Sequence, residues 1–195
     1  MLNQNKNNVF FDSSLKVNEQ LPREFTVSFK ESENSKTKLV IVKLNGEQLG
    51  DLISDNSYEN DFYRYHDIFH YTFATILKWS PCTRAMMKKK RKSNPLIDEM
   101  EDGARATITE EAISLILFNE AKRKNLFENN KRINKSTLRI IKEMTEGFEV
   151  KHRTEKEWQN AILKGYDIFR LLIKNKGGEV HFDMMKQKVE YTTLN

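Results

Sequence analysis

The strongest constraint on this chain is a change of hydrophobic period partway along it. In residues 24–30 the apolar Phe25, Val27 and Phe29 alternate with the polar Thr26 and Ser28, the period-two pattern of a strand with one buried face. Residues 37–44 are rich in β-branched side chains and run into Asn45 and Gly46. That pair accepts positive φ and closes tight hairpins, so Gln48 and Leu49 should begin a return strand. After Gly50 comes a polar loop over residues 55–61. Phe62, Tyr65, Phe69, Phe73, Ile76 and Leu77 then recur mostly at three- and four-residue intervals, which predicts a helix capped by Asp61 and stopped by Pro81. The expected fold is α+β: a small N-terminal antiparallel β-hairpin or sheet packed on a mainly α-helical bundle.

The remaining elements follow from caps and breakers. Residues 83–92 suggest a short basic helix, and Pro95 suits the first turn of another running through Asp98 and Glu99. Thr107 and Glu110 have capping-box spacing ahead of a core helix, which could instead begin earlier and pass through Gly103. Residues 136–147 read as a shorter helix. Thr154 and Glu157 form a second capping box, opening a helix that reaches Lys176 before Gly177 and Gly178. The tail should add one strand, over 180–182 or 189–192. Residues 1–22, rich in Asn, Ser and Lys, read as a flexible lead-in, and residues 23–195 as a single α+β domain.

Composition narrows the function classes. With 195 residues and twelve Phe, six Tyr and two Trp, the chain can bury a core without metal or disulfide support. The single cysteine, Cys82, rules out an internal disulfide, and the N-terminus has no signal-peptide pattern. No apolar run approaches the roughly 20 residues that span a bilayer. A reducing cytoplasm and no membrane partner are therefore expected. The net charge of +5 favours anionic partners, a nucleotide first and nucleic acid second. Its basic blocks, Lys88 to Lys92 and Lys122 to Lys124 with Lys131 and Arg132, also fit solvated faces. A homo-oligomer is compatible with the periodicity without being required by it.

Two groups of residues carry candidate chemistry. His66 and His70 stand four apart on the first helix, so both imidazoles face one side within reach of a single ion, with Asp67 as a neighbouring oxygen. The pair lacks the Glu of the H-E-x-x-H zinc-protease pattern, and such histidines also serve as packing or hydrogen-bonding residues. The second group is the acidic run Asp98, Glu99, Glu101 and Asp102, in which Glu99 and Asp102 make an E-x-x-D pair suited to Mg²⁺ or Mn²⁺. No phosphate-binding P-loop or dinucleotide fingerprint is present, and Cys82 has no identifiable catalytic partner.

The segments 50–56 (GDLISDN), 63–70 (YRYHDIFH), 79–81 (WSP), 90–93 (KRKS), 98–106 (DEMEDGARA) and 110–112 (EEA) together carry a resemblance. Over about residues 24–125 the chain resembles the domain found C-terminal to the catalytic part of MazG-like nucleotide pyrophosphohydrolases. The resemblance implies a bacterial or phage-associated protein of nucleotide-pool control or defence, with nucleoside triphosphates as candidate ligands. The MazG catalytic bundle pairs an E-E-x-x-E helix with an E-x-x-D helix. Here Ser114 stands where the last Glu after Glu110 and Glu111 would be, so the chain is similar to the companion domain rather than to that bundle.

These readings converge on a divalent-metal-dependent nucleotide phosphohydrolase or pyrophosphohydrolase. His66, His70, Asp98, Glu99 and Asp102 would hold Mg²⁺ or Mn²⁺, with Zn²⁺ as an option. Glu111 and Asp67 would serve catalysis, and Arg64, Lys90, Arg91, Lys92 and Arg105 would contact phosphates. The rivals are a non-catalytic nucleotide- or nucleic-acid-binding module, and a structural companion domain in which the histidines hydrogen-bond to the acidic run.

Overall fold

The alternating segment becomes the central strand of the only sheet among the described residues. The computed structural model describes residues 10–32 and 38–194. Residues 1–9 of the expected lead-in and residue 37 of the expected second strand lie outside them. Strand β1 (Glu24–Ser32) pairs antiparallel with β2 (Leu39–Leu44), and β2 with the two-residue β3 (Glu47–Gln48) across the turn at Asn45 and Gly46. On its other side β1 pairs with β4 (Gly177–Asp183), which continues into β5 (Lys188–Thr192), giving the order β3-β2-β1-β4-β5.

This corrects the expected architecture, since the sheet is not an N-terminal unit. Both candidate tail segments form strands, and one of them lies directly against β1. The alternation explains why: Phe25, Val27 and Phe29 need apolar neighbours on the same face, and the hairpin partner covers only one flank. Val180 and Phe182 supply the other flank, with Phe25 stacked on Phe182 at 4.8 Å. The last helix does stop just before Gly177 and Gly178, at Asn175, and the two glycines also begin β4. Gly177 has φ +128°, and a Cβ there would lie 2.3 Å from the Phe29 carbonyl oxygen, so the close pairing admits only glycine.

The described residues form six α-helices, of which α1 and α6 pack on the buried face of the sheet: α1 (Asp67–Leu77), α2 (Pro81–Met86), α3 (Pro95–Met100), α4 (Ala104–Lys122), α5 (Lys135–Met144) and α6 (Glu155–Asn175). Every residue of α1 is buried. Tyr71 on α1 touches Phe25, Phe29 and Phe182, which joins helix to sheet. Helix α6 opens with the expected capping box of Thr154 and Glu157, and crosses α1 where Gly165 lets the Phe69 ring approach. None of the described helices is long and apolar enough to cross a membrane.

Several boundaries differ from expectation. Helix α1 ends because Lys78 turns left-handed at φ +62°, before any proline is reached. Pro81 then starts α2 behind the Ser80 cap. The basic block Lys88 to Lys92 is not helical, since α2 stops at Met86 and Lys88 adopts φ +55°. Helix α4 begins at Ala104, so Glu110 lies well inside it and caps nothing.

The described part of the expected lead-in wraps the helices. Asp12 accepts from Arg84 at 2.8 Å and from Arg23 at 2.7 Å, and Glu19 accepts from the backbone N–H of Ser93 at 2.8 Å. Beneath this wrap, Arg91 is buried and donates from its backbone N–H and its guanidinium to Asp102, with a further contact to Glu149 at 2.8 Å. Burial raises the Glu149 carboxyl from 4.5 to about 7, Glu101 adding to the rise and Arg91 working against it. An acid whose folded pKa exceeds its unfolded one favours the protonated folded state, so its stabilising effect fades as pH rises from 4.5 to 7. Glu149→Gln should remove that slope. Urea midpoints measured across this window should improve for the variant relative to wild type as pH rises, and a pH-independent difference would refute the assignment.

Candidate functional site

The first turns of α1 and the start of α2 meet the middle of α4, and there the two histidines find their partners. His66 has Nδ1 at 2.9 Å from the Tyr63 carbonyl oxygen. A carbonyl only accepts, so Nδ1 carries the proton and Nε2 keeps its lone pair. Burial lowers the His66 pKa, which keeps the ring neutral at pH 7. The Tyr63 ring stacks on it at 4.2 Å and fixes its plane.

His70 is held differently. Its Nδ1 lies 2.9 Å from Glu110 Oε1, which also accepts from Ser80 Oγ at 2.7 Å, while Glu110 Oε2 accepts from the Cys82 N–H at 2.9 Å. Glu110 has no accessible surface, and every one of its contacts uses it as an acceptor. Nε2 of His70 is buried without a hydrogen-bond partner, although Glu111 Oε1 lies 3.4 Å away. Burial alone would depress the His70 pKa, but the Glu110 carboxylate beside the ring raises it, so an ion bound at Nε2 would have to displace a proton.

The carboxylates complete the cluster. Asp67 Oδ1 lies 3.5 Å from His66 Nε2, and its other oxygen faces the Tyr71 hydroxyl at 3.5 Å. Burial raises the Asp67 pKa, with both histidines opposing the rise. Glu111 is the solvent-facing member, its side chain 43% exposed. Burial works against its ionisation, yet His70 and His66 bring its carboxyl down to about 2.

Donor atoms of His66, Asp67 and His70 all lie within 4.8 Å of one another, as do those of His70, Cys82 and Glu110. The second set is the poorer candidate. Glu110 is already saturated, and burial, reinforced by the negative charge of Glu110, raises the Cys82 pKa so that the group stays a thiol. In the first set, the 3.5 Å between His66 Nε2 and Asp67 Oδ1 is close to the roughly 3.3–3.4 Å edge of a tetrahedron with metal–ligand bonds of about 2.0–2.1 Å, and Glu111 Oε1 stands at a similar 3.4 Å from His70 Nε2. Two imidazoles with anchored Nδ1 atoms are also how metal-binding histidines are commonly oriented.

The other expected site residues lie elsewhere. Asp102 accepts from three nitrogens of Arg91 and is buried, while Asp98 is half-buried and Glu99 exposed on α3; none of the three belongs to the histidine cluster. Arg64 and Arg91, expected on phosphate, are buried against protein carboxylates instead: Arg64 on Glu31 at 2.7 Å and Asp55 at 2.8 Å, Arg91 on Asp102 and Glu149. Exposed Arg105 lines a cavity beside Met100, Thr109, Met144 and Phe148, and Lys90 and Lys92 line another with Lys88. Glu110 is the residue whose role sequence spacing misassigned. Its position one before Glu111 on a core helix was the available signal.

Glu110→Gln preserves shape but turns one acceptor into a donor, leaving one of three buried partners unmatched. Urea denaturation should show a loss of about 1–3 kcal/mol, and the His70 ring nitrogens should shift in ¹⁵N NMR. An unchanged His70 spectrum would disprove the anchoring role.

No curated protein matches this chain, and no solved structure does. Residues 6–195 match the MazG C-terminal domain family. The match reaches beyond the 24–125 region of resemblance to take in the wrap against Arg84 and the strands β4 and β5. This chain belongs to the MazG C-terminal domain family.

Proposed function

We propose that this domain binds one divalent transition-metal ion through His66 Nε2, His70 Nε2 and Asp67, and uses it in nucleotide phosphohydrolase or pyrophosphohydrolase chemistry alongside MazG-like enzymes. The observation that carries the reading is the orphaned Nε2 of His70, buried and 3.4 Å from Glu111 in a cluster whose other imidazole also has its Nδ1 anchored. Two nitrogen donors favour Mn²⁺, Fe²⁺, Co²⁺ or Zn²⁺ over Mg²⁺, which prefers an all-oxygen shell. Three protein ligands would leave room for a further ligand on the ion, as catalytic sites require.

A bound ion would supply Lewis-acid polarisation of a phosphoryl oxygen. The chain's own residues do the rest. Glu110 fixes the His70 ring, the Tyr63 carbonyl fixes His66, and Tyr71 steadies Asp67. Glu111, ionised across the neutral range, can accept a hydrogen bond from water approaching the open side. Its low pKa suits it to orienting that water or joining the ligand set more than to storing a proton.

A second reading is favoured by the saturation of Glu110: the His70–Glu110 bond serves as a structural tie joining α1 to α4, with no ion at all. Calorimetry with Mn²⁺ and Zn²⁺ separates the two. Wild type should bind one ion, His66→Ala should weaken binding by more than the roughly 10–100-fold typical of outer-shell changes, and Glu111→Gln should lose nucleoside triphosphate turnover. Absence of binding to wild type would leave the structural tie standing, and turnover that survives His66→Ala would refute the catalytic assignment.

A further inference from the structure

The basic block that failed to form a helix makes a second site at the other end of α2. Lys88 leaves the helix in a left-handed conformation. Arg91 turns inward to Asp102, and the Lys89 ammonium is fastened to the Asn18 carbonyl at 2.9 Å. Lys88, Lys90 and Lys92 line a cavity of about 300 Å³ with Asn18, Glu19 and Ala85.

Three cations outnumber the one carboxylate there. Among the described residues none of the three makes an ion pair, whereas Lys122, Lys124, Lys186 and Lys188 all do. Glu19 is the one acid on the wall, and both its oxygens are taken by Ser93, one by the backbone N–H and the other by the hydroxyl. Like charges gathered in a concave surface repel one another and raise the local concentration of anions.

We propose that the Lys88, Lys90 and Lys92 cavity binds a compact oligophosphate, either free or as the phosphate chain of a nucleoside triphosphate. Lysine ammonium groups are mobile point charges that suit tetrahedral phosphate oxygens, with none of the planar two-pronged geometry that arginine offers a carboxylate. The wall contains no aromatic ring, so nothing there stacks on a base and the site is indifferent to base identity. Its volume lies at the small end of ligand cavities, which favours a short phosphate chain over an extended strand. The cavity lies past the C-terminal end of α2, while Cys82 at the N-terminal end of that helix borders the histidine cluster. The proposal therefore does not depend on metal binding.

The test is calorimetric titration at low salt with EDTA present, so that loss of the metal site cannot mimic loss of this one. The ligands are inorganic tripolyphosphate, ATP and a single-stranded oligonucleotide. One variant carries Lys88→Gln, Lys90→Gln and Lys92→Gln. A control carries Lys131→Gln, Lys135→Gln and Lys142→Gln, which removes the same charge from exposed positions elsewhere. Tripolyphosphate and ATP should bind wild type and the control alike and bind the cavity variant at least tenfold more weakly. Equal weakening in both variants, no binding to wild type, or binding of the oligonucleotide alone would each overturn the proposal.

Discussion

Glu110 lies within α4 with no accessible surface, and both its oxygens are occupied by donors from other elements: His70 of α1, the Ser80 cap of α2 and the Cys82 N–H at the start of α2. A buried carboxylate is tolerable only when its acceptor sites are filled, so the positions of three helices are mutually conditional. The same bonds set the His70 ring, and through it the direction of Nε2. The candidate metal site is thus a by-product of how the helices are locked together, and the structural and chemical readings of His70 share one bond.

A second layer of buried charge supports the first. Arg64 ties the loop before α1 to β1 through Glu31 and Asp55, and Arg91 ties the segment after α2 to Asp102 and Glu149. These arginines act at long range along the chain, and leaving any of them unpaired would strand a charge away from water. Their role as internal struts removes them from the expected phosphate contacts. It also explains why the positive charge left available concentrates in lysines, whose long stems keep the ammonium group at the surface.

The wrap by residues 10–22 and the C-terminal strands close the fold from both ends of the sequence. Asp12 reaches Arg84, and β4 lies against β1, so the segments outside the 24–125 region of resemblance are packed parts of the same body. The family match over residues 6–195 agrees with that extent.

Local pattern was enough to read β1, the Asn45–Gly46 turn, the helical period of α1 and the capping box of α6, because each depends on side chains a few residues apart. It was also enough to bring His66 and His70 to one side with Asp67 beside them, since their four-residue spacing spans about one helical turn. Sequence left open what joins them. Glu110 and Glu111 approach the histidines from forty residues away, and β4 reaches β1 from more than a hundred and forty, distances over which no periodicity carries information. The same limit explains the fate of Asp102, Arg64 and Arg91. A charged residue reads alike in sequence whether it faces water or a buried partner, and only the packing of distant segments decided that these three are sealed inside while Lys88, Lys90 and Lys92 make no ion pair among the described residues.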